Sequence, residues 1–255
     1  ASFTMKAMIL AAGFGTRLRP LTNTLPKPLL PVGGKPLIEW NLLLLKAHGI
    51  RQVIINLHYL GSLIQEALGN GAKWDMDITY SQEPDILGTG GGLRKALKFF
   101  EGRPFLVING DTLIDLNIQA LMNFHREKRA AATLVVREDP DSERWGVVEC
   151  DRQDRLLRIN GKGVREVQQH QTIARRMFAG VHILDPALLQ PEPERISFSV
   201  IDTYVKALAK GLCLFGYLHA GYWSDVGTVD RYAQAQVDAK AQKFLMTLRN
   251  QSGYT

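Results

Sequence analysis

The sequence predicts an α/β fold in which a mixed, mainly parallel sheet is flanked by helices, and three observations predict it. Short apolar runs alternate with helical patterns through the first half, as parallel βαβ units require. Pro104-Phe105-Leu106-Val107-Ile108 is almost continuously apolar, the pattern of a central strand buried on both faces. Leu10-Ala11-Ala12-Gly13-Phe14-Gly15-Thr16-Arg17-Leu18-Arg19-Pro20 turns the end of the first apolar run into a glycine-rich basic loop. In order, the expected elements are a strand at Lys6–Ala11, a helix from Leu37 to His48 stopped by Gly49, a strand at Gln52–Asn56, a helix near Ser62–Leu68 and a strand at Ile78–Ser81. A helix from Gly90 to Phe100 precedes the central strand, whose carboxyl end should border the ligand crevice. From Ala131 the texture becomes strand-rich, with strands at Ala132–Arg137, Gly146–Cys150, Arg155–Ile159 and Met177–Ile183. A helix near Val200–Lys210, a strand at Leu212–His219 and a long closing helix from Val229 to Arg249 follow.

At 255 residues the chain can be one α/β domain or a domain with a small appendage, and either can bury a full core. Its 45% hydrophobic and 22% charged residues are ordinary for a globular protein, and Leu42-Leu43-Leu44-Leu45 is far too short to span a membrane. No secretory signal is expected before Lys6, and Cys150 and Cys213 fit no zinc or redox spacing, so two inert buried thiols in a reducing cytoplasm are expected. The net charge of +6 is dispersed without an aromatic-interleaved stripe, which argues against nucleic acid and for small anionic partners.

The glycine-rich loop has the makings of a phosphate cradle. Gly13 and Gly15 let successive N–H groups approach an anion, and Arg17 and Arg19 carry guanidinium forks suited to phosphate oxygens. It fits neither a Walker A loop nor a dinucleotide fingerprint, and a plain strand-to-helix turn with exposed arginines is the alternative. Asn109-Gly110-Asp111, directly after the central strand, sets a carboxylate near that loop; a carboxylate beside phosphate calls for a cation, with Mg²⁺ the natural one. Asp225 offers a second carboxylate or, alternatively, a helix-start residue. Pro26-Lys27-Pro28 presents an ammonium from a stiff frame. Gly88-Thr89-Gly90-Gly91-Gly92 reads as a helix N-terminus whose free N–H groups face the crevice, where a base or ribose could lie flat, and Gln82 and Glu83 could bond a ring or sugar edge.

Taken in order, the glycine-rich loop, Pro26-Lys27-Pro28-Leu29, Gly88-Thr89-Gly90-Gly91-Gly92, Asn109-Gly110-Asp111 and Trp223-Ser224-Asp225-Val226-Gly227-Thr228 resemble the motif series of sugar-1-phosphate nucleotidyltransferases, or NDP-sugar pyrophosphorylases. The likeness spans Met5 to about residue 240 and is strongest to the short bacterial branch of N-acetylmuramate-1-phosphate uridylyltransferases and mannose-1-phosphate guanylyltransferases. It implies a Rossmann-like nucleotide-diphospho-sugar transferase fold as one domain over 5–255, without a β-helix appendage. Within it a nucleotide half of about 5–130, a sugar half of about 131–228 and a closing helix of about 229–250 are expected. The implied substrates are a nucleoside triphosphate, UTP or GTP leading, and a hexose-type sugar 1-phosphate, handled by a cytoplasmic monomer or homodimer.

The resemblance also implies roles. Arg17 and Lys27 would meet the phosphates, Asp111 would join them as a catalytic residue, and Asp111 and Asp225 would bind Mg²⁺. Leu10, Ala11, Ala12, Gly13, Gly15, Thr16, Gln82, Glu83, Gly88, Thr89 and Gly90 complete the implied nucleotide contacts. Asn109, Glu149, Lys162, Ala179 and Gly180 would line the sugar phosphate, although Asn160-Gly161-Lys162-Gly163 stands where relatives carry Glu-Lys-Pro. A cytidylyltransferase for a non-sugar alcohol phosphate and a non-catalytic nucleotide-binding regulator are the competing readings.

Overall fold

Ala7–Leu10, Gln52–Leu57 and Asp77–Gln82 form the parallel sheet that the alternation predicts, with Leu10 opposite Asn56 and Asn56 opposite Ser81. The computed structural model describes residues 4–167, 174–190 and 195–244. Two compact units divide the chain, the first drawn from residues 1–86, 108–118 and 221–255 and the second from 87–107 and 119–220.

In the first unit, helices Leu37–Ala47 and Gly61–Leu68 provide the crossovers between the parallel strands. The first ends on Gly49 at φ 77, where glycine is free to adopt the left-handed turn that stops it. Trp223–Asp225 pairs antiparallel with Thr112–Ile114 and leads into helix Val229–Lys240. Val32, Leu37, Trp40, Leu113, Val226, Ala235 and Phe244 form one buried cluster, in which Trp40 and Phe244 meet edge to face at 4.8 Å. The closing helix therefore stops at Lys240, shorter than its sequence pattern suggests. Lys243 Nζ and Tyr222 Oη both hold Asp238 there, and Gln242 at φ 56 breaks the helical path. The remainder of that predicted helix, residues 245–249, lies outside the described residues.

In the second unit, Ala174–Leu184 pairs antiparallel with Ala132–Arg137 on one side and Val147–Cys150 on the other. Leu156–Ile159 and Lys162–Gly163 extend the sheet beyond Val147–Cys150, and Leu214–Leu218 runs parallel to Ala132–Arg137. The strand-rich texture after Ala131 is thus a mainly antiparallel sheet, joined to helix Val200–Ala209. The predicted helix Gly90–Phe100 is two pieces, Gly88–Lys95 and Leu97–Phe100, parted at Ala96. Cys150 is buried and its thiol is pushed up to about 12, first by burial, whereas Cys213 is exposed and corrects the expectation of two buried thiols. Among the described residues no helix is long and apolar enough to cross a membrane.

His182 is fully buried in this sheet, its Nδ1 bonded to the Tyr204 hydroxyl, and burial pushes its pKa from 6.5 down to about 3. A folded-state pKa below the unfolded one means that the folded chain binds fewer protons, so stability is complete above pH ~6.5 and is lost as pH falls toward 3. The limiting slope for one such group is about 1.4 kcal/mol per pH unit. Urea midpoints taken at about pH 7 and about pH 5 should fall steeply for the native chain and less for His182→Gln. Some slope should remain, because burial lowers His125 as well. Equal slopes for the two proteins would remove His182 as the acid-sensitive group.

Candidate active site

The glycine-rich loop is tied down at its root and open at its apex. Ala11 N–H donates to Asn56 Oδ1 at 2.7 Å, and Asn56 Nδ2 donates to Glu83 Oε1 at 3.1 Å, which links the carboxyl ends of three neighbouring strands. Glu83 is buried beneath the loop, so its described partner is the strand scaffold, and Gln82 Nε2 bonds Gln65 Oε1 on the surface. Gly13 and Phe14 are exposed, and a Cβ on Gly13 would meet nothing within 4 Å. Gly15 is different: its φ is 63, its carbonyl accepts from Thr22 Oγ1 at 2.7 Å, and a Cβ there would lie 3.0 Å from Thr22 Cγ2 and 3.2 Å from Lys27 Cβ. Only a residue without a side chain closes the loop this tightly on the Lys27 segment. Thr16–Leu18 is a single 3₁₀ turn anchored by fully buried Leu18, which leaves Arg17 exposed.

Lys27 begins another 3₁₀ turn, with Pro26 before it and Pro28 within it, and Leu30 N–H donates to the Lys27 carbonyl. Its Nζ lies 2.5 Å from Asp111 Oδ2. Asp111 is placed by backbone contacts on both sides: Gly110 N–H donates to the Leu10 carbonyl at 2.9 Å and Val226 N–H to the Asp111 carbonyl at 2.9 Å. Asp225 stands opposite Thr112, the residue after Asp111, so the strand pairing brings the two carboxylates together. Arg231 Nε donates to the Asp225 carbonyl at 2.8 Å and its Nη2 lies 3.5 Å from Asp225 Oδ1. Burial holds the Asp225 carboxyl above its usual range, and the Asp111 charge adds to this; Arg231, Lys27 and Arg17 pull the other way. A Cβ on Gly227 would lie 2.5 Å from Asp225 Oδ1 and 3.2 Å from Arg17 Nη2, which places the Arg17 guanidinium at this same spot. Arg17, Lys27, Asp111 and Asp225 thus converge in the first unit. Asp225 closes a strand, and the helix start belongs to Thr228, whose Oγ1 accepts from Arg231 N–H.

Among the described residues, Asp225 Oδ1 is buried and finds no hydrogen-bond partner. A buried carboxylate oxygen in that state, beside a second carboxylate, suits a hard cation. Among the described residues no group of three or more His, Cys, Asp or Glu could hold a metal. Two carboxylates alone fit Mg²⁺, which completes its shell with water and phosphate oxygens.

The glycine run in the second unit serves packing. Gly90 and Gly91 N–H both donate to the Phe198 carbonyl, at 2.9 and 3.3 Å, and Thr89 Oγ1 accepts from Val200 N–H. A Cβ on Gly90 would stand 2.3 Å from the Phe198 ring, and one on Gly88 2.5 Å from the Phe198 carbonyl. The expectation of free helix-start N–H groups with a flat open face is therefore corrected at Gly90 and Gly91: Phe198 covers Gly90 and its carbonyl takes both donors. Gly90→Ala should destabilise the chain by about 1 to 3 kcal/mol through overpacking. Adding Phe198→Ala should make the pair less damaging than the two single losses combined, as urea melts would show, and strict additivity would sink the packing account.

Of the residues expected on the sugar side, Asn109 ends the central strand in the first unit. In the second, Glu149 lies opposite both Arg158 and Arg175, and Ala179 and Gly180 fall in a register break of their strand, with Gly180 at φ 78. Lys162 is exposed on a two-residue edge strand after Asn160 and Gly161, both at positive φ. That Asn-Gly pair is a hairpin turn, a signal the reading of Lys162 passed over. Arg231, Asn56 and Thr22 were missed too. Arg231 had a visible sign, since a cation in the first turn of a helix opposes the helix dipole and needs another reason to be there.

A glycine loop and an arginine after Ala7–Leu10, a proline-framed lysine, and two carboxylates from Asp111 and an antiparallel strand give this α/β protein a charged site suited to a polyphosphate. The sequence profile of the nucleotidyl transferase family matches residues 6–242, and the chain belongs to that family. It is 39% identical over 242 residues to an N-acetylmuramate alpha-1-phosphate uridylyltransferase of Neisseria meningitidis serogroup B, covering 94% of this chain and all of that protein. It is 34% identical to a UTP–glucose-1-phosphate uridylyltransferase of Synechocystis sp. and 31% to a mannose-1-phosphate guanylyltransferase of Mycobacterium tuberculosis. The matches cover 91% and 93% of this chain but only 62% and 65% of those longer proteins. Among solved structures, HddC from Yersinia pseudotuberculosis complexed with GMP-PN is similar with TM-score 0.74 and 24% identity, over 92% of this chain and 99% of that one. A UDP-glucose pyrophosphorylase complexed with UDP-glucose is similar with TM-score 0.75 and 20% identity, over 94% and 100%. These two likenesses concern the fold.

Proposed function

We propose that the protein joins a nucleoside triphosphate to a sugar 1-phosphate, giving an NDP-sugar and pyrophosphate. The observation that carries this reading is the convergence of Arg17 and Lys27 with Asp111 and Asp225, Asp111 sitting beside the carboxyl end of Ala7–Leu10. UTP or GTP with a hexose-type 1-phosphate is the substrate class. N-acetylmuramate 1-phosphate leads because the relative matched along its whole length bears that activity in its name.

The sugar phosphate is already an anion at neutral pH. Its oxygen forms a bond to the α-phosphorus as the bond from that phosphorus to the bridging oxygen breaks, and pyrophosphate departs with the electron pair. No protein nucleophile is needed, so the barrier is alignment and charge repulsion. Arg17, exposed beside the open loop apex, and Lys27, on its proline frame, would neutralise the triphosphate oxygens. Asp111 and Asp225 would hold a Mg²⁺ that offsets the charge of the reacting and leaving phosphates. The open apex at Gly13 would admit the phosphates to the N–H groups of the loop. Because nucleoside triphosphates are made and held in the cytoplasm, the reading sets the reaction there.

Release of pyrophosphate from UTP, GTP, CTP and ATP against a panel of sugar 1-phosphates tests the proposal. Turnover confined to a uridine or guanosine triphosphate with a hexose 1-phosphate is expected. Turnover only with CTP and a non-sugar alcohol phosphate, or none under any condition, would overturn it. Lys162, exposed at its hairpin, is proposed to meet the sugar phosphate. Lys162→Ala should raise the sugar-phosphate KM more than the nucleotide KM, and equal effects would remove it from the sugar side.

A further inference from the structure

Lys27 and Asp111 form an ion pair that has to open if both residues are to act on substrate. The Nζ to Oδ2 distance is 2.5 Å, and the side chains are 14% and 28% exposed. The lysine backbone cannot follow a moving ammonium, because Pro26 and Pro28 fix the turn and Gly15 packs toward Lys27 Cβ. Only the flexible four-carbon stem can swing.

An ammonium and a divalent cation compete for the lone pairs of one carboxylate oxygen and repel each other at that separation. On Asp225 the neighbouring cation stands farther off. Arg231 spends Nε on the Asp225 carbonyl, and its Nη2 stays 3.5 Å from an Oδ1 that makes no hydrogen bond.

We propose that Lys27 couples metal binding to nucleotide binding: its ammonium is a built-in competitor for Asp111, and an incoming triphosphate draws it away and so opens that carboxylate to the divalent cation. The inference rests on the proposed function and adds to it a rule for how the site fills. A divalent cation binds Asp111 weakly on its own and well beside a nucleotide, while Lys27 passes from a carboxylate to a phosphate. One residue thereby holds the site closed to bare metal and then serves the substrate.

The 255-residue chain and its Lys27→Met and Lys27→Gln variants would be titrated with Mn²⁺ alone, by electron paramagnetic resonance of the free ion. Each would also be titrated with UTP and GTP in the presence of a chelator, by calorimetry. Removing the ammonium should tighten Mn²⁺ binding by about tenfold or more and weaken binding of the metal-free nucleotide by a similar factor, so the two affinities move in opposite directions. The enhancement of Mn²⁺ affinity by nucleotide should be large in the native chain and small in the variants. Asp111→Asn added to Lys27→Met should abolish the gain. Mn²⁺ affinity that is unchanged or weaker in folded variants, or a gain that survives Asp111→Asn, would overturn the coupling. A native chain that turns over substrates yet shows those results loses only this inference, whereas one that binds neither Mn²⁺ nor nucleotide loses the proposed function as well.

Discussion

Asp111→Asn and Asp225→Asn should each cut turnover by orders of magnitude while the fold holds. The amide keeps the shape and one neutral oxygen of the carboxylate but removes the charge that would balance a divalent cation. For Asp225→Asn, stability should respond in the opposite sense from activity. The Asp225 carboxyl sits above its ordinary range because burial and the Asp111 charge disfavour its ionised form. For an acid whose folded pKa is raised, the folded state binds more protons, so its contribution is favourable at low pH and is lost as pH rises through the folded value. At neutral pH the native chain carries that penalty. Asp225→Asn removes it directly, so its Tm should stay level or rise; Asp111→Asn relieves Asp225 but takes the carboxylate from the Lys27 ammonium, so its Tm should change little. The losses of turnover should be non-additive in the double variant, as expected when two residues serve one ion. Pyrophosphate release at limiting and saturating Mg²⁺, paired with thermal melts, checks both halves. Near-normal turnover of Asp225→Asn at limiting Mg²⁺ would leave Asp111 and the substrate phosphates as the whole metal site.

Much of this site was legible because its parts are local in sequence. Lys27 is framed by two prolines, Gly15 sits in a short basic loop, and Asp111 follows an apolar strand, so each stands out within a few residues. The strands at 52–57 and 132–137 were legible for the same reason, their apolar residues lying close together, and that at 77–82 by an alternation as local. What escaped depends on partners far along the chain. Nothing near Gly90 says that Phe198 will cover it, since the two are joined only by the fold. Asn56 and Glu83 look like ordinary strand-end polar residues until the parallel register sets one beside the other beneath Ala11. Arg231 was hidden by its helix, although its place at the positive end was a clue. The closing helix was overread because Leu245 and Leu248 continue its apolar period, which carries no information about the break at Gln242.

Gly110→Ala should damage activity and stability together, and that joint loss separates it from the carboxylate variants. In Asn109-Gly110-Asp111 the glycine looks like a turn residue. Its φ is not in the left-handed region, so flexibility is not the reason for it. The reason is proximity: its N–H donates to the Leu10 carbonyl, and a Cβ would stand 2.7 Å from that same oxygen and 3.4 Å from Ile9 Cγ2. A backbone carbonyl within a paired strand cannot step aside as a flexible side chain would, so the alanine methyl must push residue 110 away. Asn41 Nδ2 holds the Gly110 carbonyl and Val226 N–H holds the Asp111 carbonyl, so the displacement passes to Asp111 and toward the Asp225 strand. Overpacking of this kind costs about 1 to 3 kcal/mol. A shift of roughly 1 Å in a positioned group can lower turnover about 100-fold. Gly13→Ala is the matched control, because nothing lies within 4 Å of its added methyl and its φ is also ordinary. It should leave Tm unchanged and at most raise the nucleotide KM. Equal melting temperatures and equal kcat for the two alanine variants would show that Asp111 does not depend on the close approach of Gly110 to Leu10.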